Sequence, residues 1–305
     1  MNLLITGCSG FVGSYLAEHL LAQNHTIHGT DRVEQNVSGV HMHVLDIRNA
    51  EAVVTLVQDI RPDYVYHLAG FSSVRESWLH PDEAQSVNVG GTKNVLDALL
   101  HVPPLKKVLV ISSGEVYGSP KNNPVSEQDA LEPLSPYAQS RVEQETLCAT
   151  YMDRLPIIIS RSFNHTGPGQ THAMVCGSIT KQVADMITQD KERILHIRDA
   201  SVRRDFSDVR DVVRAYSMAM EHCPAGLTFN TCSGRAYSIR DIIDMAIAHV
   251  PGKVLIDEQK DAQRKTDIPL LYGSHALLTQ HTGWQPIIPF EKTIADMIAY
   301  WVERV

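Results

Sequence analysis

No stretch of this sequence approaches the roughly 20 consecutive apolar residues that cross a bilayer. The opening Met1-Asn2-Leu3-Leu4-Ile5-Thr6-Gly7 has neither the cationic start nor the apolar stretch of a secretory leader. A cytoplasmic protein without membrane contact is the expectation. Cysteine is sparse: Cys8, Cys148, Cys176, Cys223 and Cys232 form no CxxC pair and share no metal-site spacing with histidine. They read as reduced packing residues, and no metal is expected. Excess basic charge is also missing, because 27 Lys+Arg face 35 Asp+Glu for a formal charge of -8. That balance argues against a surface tracking nucleic-acid phosphates, while local arginines can still hold a small anion. There is no internal repeat and no low-complexity linker. With 43% hydrophobic and 20% charged residues, a disordered polar chain is excluded. A length of 305 residues allows two domains, or one large domain with a lobe, around a substantial core.

What is present alternates. Leu3 to Ile5 form a short apolar run, Val12, Leu16, Leu20 and Leu21 mark a helix, and Thr26 to Gly29 make a second strand. The pattern recurs through Val40 to Leu45, Val53 to Ile60, Tyr64 to Leu68, Val87 to Leu100, Val108 to Ile111, a helix from about Pro136 to Arg154, and the strand Ile157 to Ser160. Buried strands alternating with helices predict an α/β fold, a doubly wound parallel sheet covered on both faces. After Arg161 the chain becomes loop-rich, then helical from about Val175 to Gln189, with further helices around Ile239 to His249 and Ile294 to Val302. The expected organisation is a dinucleotide-binding domain over 1–162 and a smaller, mainly substrate-binding lobe over 163–305. Segments near 205–232 are expected to return to the first domain, with the ligand crevice between the two.

Gly7-Cys8-Ser9-Gly10-Phe11-Val12-Gly13 lies between the first strand and the first helix. Gly7 permits the sharp turn, Gly10 admits a pyrophosphate against the backbone, and Gly13 lets helix and sheet pack closely. The amides at the start of the helix, from Phe11 and Val12 onward, then face the phosphates. Asp31, ending the second strand, can accept hydrogen bonds from the adenosine ribose and would repel a 2'-phosphate, so NAD(H) is favoured. Arg32 follows directly and can approach such a phosphate, which keeps NADP(H) open. Asp46-Ile47 after the third strand and Leu68-Ala69 after the fourth are further residues assigned to the cofactor.

Ser112-Ser113-Gly114-Glu115-Val116-Tyr117-Gly118 follows a strand, which places its hydroxyls and carboxylate at a carboxyl end. Tyr137 and Arg141 open the next helix four residues apart and share a face. A phenol beside a cation can give a proton to a carbonyl oxygen or take one from an alcohol, and Ser113 can orient the same oxygen. Tyr117, Trp284 and Trp301 read as supporting or packing residues, and His165 as a loop or pocket residue.

Together, Gly7 to Gly13, Asp31, Ser112 to Gly118, Tyr137 with a basic residue four later, and Arg161-Ser162-Phe163-Asn164 resemble the extended short-chain dehydrogenase/reductases that act on nucleotide sugars. The resemblance covers essentially the whole chain. Within that family, the segments Ser72 to Trp78, Phe163 to Gln170 and Arg204 to Asp211 are most similar to the reductases and dehydratases of GDP-linked 6-deoxyhexoses. The resemblance implies that Ser113 holds a C4 carbonyl, that Tyr137 protonates its oxygen, and that Arg141 and Glu115 belong to the catalytic group. It implies Ser73, Asn164, Arg204 and Arg264 as substrate contacts, a GDP-linked deoxyhexose as substrate, GDP-D-rhamnose as product, and a homodimer. Glu115 fits both a reductase and a dehydratase. The family carries lysine where this chain has Arg141, and a planar guanidinium is no simple substitute for an ammonium. Three readings stand: a 4-ketoreductase, a dehydratase or epimerase that retains its cofactor, and a non-catalytic nucleotide-binding regulator.

Overall fold

The computed structural model describes residues 1–102, 105–189, 192–259 and 268–304. The chain opens with β1 (Asn2–Thr6), α1 (Phe11–Leu21), β2 (Thr26–Asp31), β3 (His41–Val44), α2 (Ala50–Ile60) and β4 (Tyr64–His67). Two short helices, α3 (Val74–Leu79) and α4 (Pro81–Gln85), lead through a π-helical turn at Ser86–Gly91 into α5 (Thr92–Leu99). Then come β5 (Lys107–Ser113), a 3-10 turn at Gly114–Tyr117, α6 (Pro136–Ala149) and β6 (Ile157–Ser162). The remainder comprises β7 (Asn164–Thr166), α7 (Val175–Thr188), β8 (Ile194–Ile197), β9 (Arg203–Asp208), α8 (Val209–His222), β10 (Thr228–Thr231) and β11 (Ala236–Ser238). It closes with α9 (Ile239–Ile247), β12 (Leu255–Glu258), β13 (Leu270–Leu271), α10 (Ala276–Thr282) and α11 (Phe290–Val302).

Seven parallel strands form one sheet in the order β10-β6-β5-β4-β1-β2-β3. Its strands are apolar because both faces are covered: Leu3, Leu4 and Ile5 in β1, and Ile157, Ile158 and Ile159 in β6, are all buried. Leu16 and Leu20 of α1 join Val212 and Tyr216 of α8 on one face. Val53 and Val57 of α2, Val95 and Leu99 of α5, and Cys148 of α6 cover the other. This is the expected Rossmann-like fold. The chain runs outward from β1 to β3 on one side and from β4 to β6 on the other, so the strand order reverses between β1 and β4. Ligands of such sheets bind outside the carboxyl ends of the strands at that reversal.

A smaller C-terminal lobe surrounds a separate core, in which Ile179 and Val183 of α7 and Ile242 and Ile243 of α9 pack with Ile294 and Met297 of α11. Local chemistry marks its helix starts. Ser238 and Asp241 form a capping box on α9, and Asp208 caps α8. Among the described residues, no helix is long and apolar enough to cross a membrane.

Three elements depart from the periodicity reading. The helix expected to reach Arg154 ends at Ala149, because the chain turns at Thr150 to enter β6 through Pro156. β6 continues past Ser160 into the polar Arg161 and Ser162, since both side chains find buried partners, Glu145 and Tyr216. The run Val87 to Leu100 contains a π turn rather than a uniform α-helix. Such turns are rare and concentrate at functional sites.

Candidate active site

The glycine turn is a cradle that side chains would fill. Gly7 has φ +71, and a Cβ there would lie 2.9 Å from the Ala69 amide nitrogen and 3.2 Å from the Leu68 carbonyl carbon. At Gly13 a Cβ would meet the Gly7 carbonyl oxygen at 2.2 Å, and at Gly10 at 3.2 Å. Leu68-Ala69 thus lies against the turn. Gly10 caps α1 without a side-chain bond. The amides of Phe11 and Val12, in its first turn, therefore have no intrahelical acceptor and suit an anion.

At the far end of β2 the Asp31 carboxylate accepts from the Ser9 hydroxyl at 2.6 Å and from the Arg32 amide at 2.7 Å. Exposed Arg32 reaches Glu83 at 3.7 Å. Asp46 is held by Arg48, whose Nε and Nη2 donate to it at 3.0 and 2.5 Å, and this bonding pulls the carboxyl below its ordinary range. Ile47 is buried, and a Cβ on Gly91 would come 2.4 Å from its Cδ1, so that glycine makes room for it.

β5 delivers Ser113 and α6 delivers Tyr137, each 7% exposed. Ser135 caps α6 by accepting from the Ala138 amide at 3.1 Å, with Pro136 at the first position, so Tyr137 sits in the first turn. Ser113 Oγ accepts from the Glu115 amide at 3.2 Å and keeps its own proton for another acceptor. Half-buried Glu115 stands in the same 3-10 turn.

Arg141 is buried, with its guanidinium carbon 5.3 Å from the Tyr137 ring centroid. Nη1 donates to the Ile111 carbonyl at 2.9 Å and to Gln144 Oε1 at 3.0 Å, and Nη2 to the Phe71 carbonyl at 3.2 Å. Its Nε, although buried, has no partner among the described residues. A buried donor left open beside a cradle shaped for phosphates fits a dinucleotide whose polar groups complete the site.

The remaining predicted contacts divide. Asn164 on β7 pairs with Phe206 on β9, so it shares a sheet face with Arg204 two residues earlier. Arg204 Nη1 donates to the Arg203 carbonyl at 3.1 Å and also to that of Ile268. Ser73 caps α3 by accepting from the Glu76 amide at 3.1 Å, a structural task on a half-buried residue. Arg264 lies outside the described residues. The 163–170 loop docks on α1: His165 stacks on Phe11 at 6.5 Å, and the Tyr15 hydroxyl donates to the Pro168 carbonyl at 2.7 Å. Tyr117 and Trp284 are buried supports, and all five cysteines are free and buried.

Several buried polar residues behind the site were missed. Asn88, in the π turn, accepts from the Phe71 amide at 2.8 Å and donates to Ser140 Oγ at 2.8 Å. Thr6 Oγ1 and His67 Nδ1 lie 2.8 Å apart, and His67 Nε2 and Thr92 Oγ1 lie 2.9 Å apart. Thr92 Oγ1 gives its one proton to the Asn88 carbonyl at 2.6 Å and accepts from Gln144 Nε2 at 2.8 Å. His67 must therefore donate from Nε2 and accept at Nδ1 from Thr6. Ser112 Oγ donates to Glu145 Oε1 at 2.5 Å, and Arg161 grips Glu145 through Nε and Nη2. The signal for Gln144 and Glu145 was available: Tyr137, Ser140, Arg141, Gln144, Glu145 and Cys148 form the buried face of α6 at helical spacing.

Burial, then the charge of Arg141, push the His67 imidazole down from 6.5 to about 3. The unfolded chain therefore binds a proton between those values that the folded chain refuses, so the His67 contribution is complete above pH 6.5 and is lost as pH falls below it. Stability should drop by about 2 kcal/mol more between pH 7 and pH 5 in the wild type than in His67→Gln. Urea midpoints for both proteins at the two pH values test this, and equal slopes would remove His67 from the acid response.

Residues 4–297 match the family model described as GDP-mannose 4,6 dehydratase. The chain belongs to that family. It is an extended short-chain dehydrogenase/reductase, an NAD(P)-binding oxidoreductase fold that modifies nucleotide sugars. The GDP-6-deoxy-D-mannose reductase of Pseudomonas aeruginosa is 34% identical over 310 residues, covering 100% of this chain and 98% of the relative. The solved structure of RMD from Pseudomonas aeruginosa with NADPH superposes with TM-score 0.89 at 32% identity, covering 100% and 99% of the two chains. Thermus thermophilus UDP-glucose 4-epimerase, solved with NAD, reaches TM-score 0.89 at 26% identity, with both chains covered completely.

Proposed function

We propose that the protein reduces the C4 ketone of GDP-4-keto-6-deoxy-D-mannose to give GDP-D-rhamnose. The observation that carries this reading is the end-to-end match to a reductase of that sugar class, 34% identical over 310 residues, with Ser113 and Tyr137 buried at the carboxyl ends of the sheet. Residues 1–162 would hold the cofactor and 163–305 mainly the substrate, with Asn164 and Arg204 on one shared sheet face. The glycine turn, Asp31 and Arg141 would hold the dinucleotide; bound there, its reduced nicotinamide supplies the hydride for the ketone carbon. Ser113 orients the ketone oxygen, and the Tyr137 phenol donates the proton that converts it to a hydroxyl. The tyrosine is then reprotonated from solvent. A dehydratase that regenerates its own cofactor is the second reading, favoured by Glu115 in the turn after Ser113.

The test is incubation with freshly generated GDP-4-keto-6-deoxy-D-mannose and NADH or NADPH, following coenzyme oxidation and identifying the sugar. One coenzyme consumed per GDP-D-rhamnose formed supports the reductase, and conversion of GDP-mannose without net consumption would replace it with the dehydratase. Binding of nucleotide with no turnover of either sugar would point to a regulator. NADH is the proposed coenzyme, with NADPH the alternative, because the Asp31 carboxylate at the end of β2 would accept from an adenosine ribose and repel a 2'-phosphate, while Arg32 reaches Glu83. Asp31→Ala should lower the kcat/KM preference for NADH over NADPH roughly tenfold. An unchanged ratio would remove Asp31 from coenzyme choice.

A further inference from the structure

Arg141 carries more planar hydrogen-bonding capacity than an ammonium, and the protein around it takes up bonds from both Nη atoms while leaving Nε open. Nη1 donates to the Ile111 carbonyl of β5 and Nη2 to the Phe71 carbonyl, in the segment between β4 and α3. The third acceptor is the side-chain oxygen of Gln144, one helical turn along α6 and fully buried. Neither end of that amide can be turned around. Thr92 Oγ1 has spent its proton on the Asn88 carbonyl and must receive from Gln144 Nε2, while Arg141 has no acceptor and must meet Gln144 Oε1. Thr92 also receives from His67, which receives from Thr6, directly before the glycine turn. Gly70 leaves the space, since a Cβ there would lie 2.8 Å from Arg141 Nη2.

We infer that Gln144 is the positioning residue that makes arginine workable at position 141. It fixes the guanidinium beneath Tyr137 and ties it, through Thr92, His67 and Thr6, to the phosphate-binding turn. Gln144 touches neither reacting atom and acts through Arg141. A lysine at 141 would replace the fork whose Nη1 serves both Gln144 Oε1 and the Ile111 carbonyl by a compact ammonium on a shorter stem, so arginine and glutamine form a matched pair. The catalytic consequence rests on the ketoreductase reading, whereas the positioning itself does not.

The test uses the full chain with 15N-labelled arginine, the Arg141 side-chain signals being those lost in Arg141→Lys. In the wild type these N–H protons should exchange slowly with water. Gln144→Leu should expose them to rapid exchange, and Gln144→Glu, which keeps an acceptor for Arg141, should preserve the protection. In single-turnover reduction at saturating coenzyme, Gln144→Leu should be slower by about 10²-fold. Gln144→Glu should recover most of that rate. In the Arg141→Lys background, itself slowed, Gln144→Leu should cost nothing further, because the paired interaction is already gone. Unaltered exchange in Gln144→Leu, or equal rate losses in both backgrounds, would overturn the inference. If the wild type fails to reduce the ketosugar, the functional reading falls and the exchange measurement alone decides the role of Gln144.

Discussion

Tyr137→Phe is expected to lower single-turnover ketone reduction by about 10²–10⁴-fold, the range of a lost general acid. Coenzyme affinity should remain, because the ring keeps its shape in the first turn of α6 and its packing against the Arg141 guanidinium, 5.3 Å away. The removed group is the hydroxyl alone. Rapid mixing with bound NADH, read by loss of reduced-nicotinamide fluorescence, separates the two effects. A variant reducing at the wild-type rate would take the proton donor away from Tyr137. Ser113→Ala supplies a useful contrast, since it removes an orienting hydroxyl and leaves the acid in place.

Arg161→Met should produce the largest loss of stability among the changes considered. Arg161 and Glu145 are buried together at 2.8 Å, and Arg161 Nη1 also donates to the Tyr117 hydroxyl at 3.0 Å. Tyr117 in turn donates to Asn230 of β10 at 2.7 Å, so this arginine joins α6, β6, β10 and the turn after β5. Methionine fills much of the volume and leaves the Glu145 carboxylate without its counter-charge. Breaking one side of a buried pair costs about 3–5 kcal/mol. For a chain of this size that corresponds to a fall in Tm of roughly 5–8 °C. Differential scanning calorimetry at neutral pH checks it, and a fall within error of the wild type would show that Glu145 is satisfied without Arg161. Replacing both residues, Arg161→Met with Glu145→Leu, should recover part of the loss, because no charge then remains buried.

Much of the candidate site's geometry is legible in local spacing. The Gly7-Gly10-Gly13 turn needed only its position between a strand and a helix, and Tyr137 with Arg141 needed only the helical period. Asp31 followed from the end of the second strand. What escaped was polar and buried. His67 ends an apolar strand, Asn88 and Thr92 lie in a run with helical spacing, and Gln144 and Glu145 are polar side chains buried on α6. Their partners come from residues as far apart in sequence as 6 and 67, or 92 and 144. Ser73, a substrate contact by its motif, also caps α3 by accepting from the Glu76 amide and keeps its own proton for a ligand. A single hydroxyl in a sequence does not reveal which nearby donor will reach it first.

The amino-acid order by itself determined the parallel sheet, its strand-turn-helix opening and the pairing of a phenol with a cation, because each depends on local patterns: short apolar runs alternating with helical periods, glycines three apart, and two side chains four apart on a helix. Tertiary structure alone decided how the cation is held. Arg141 takes carbonyls from Phe71 and Ile111 and an amide from Gln144, and that amide is oriented by Thr92 and, behind it, His67. Burial is what enforces the arrangement: away from water every donor must find an acceptor within about 3 Å, and only the folded chain brings those partners together.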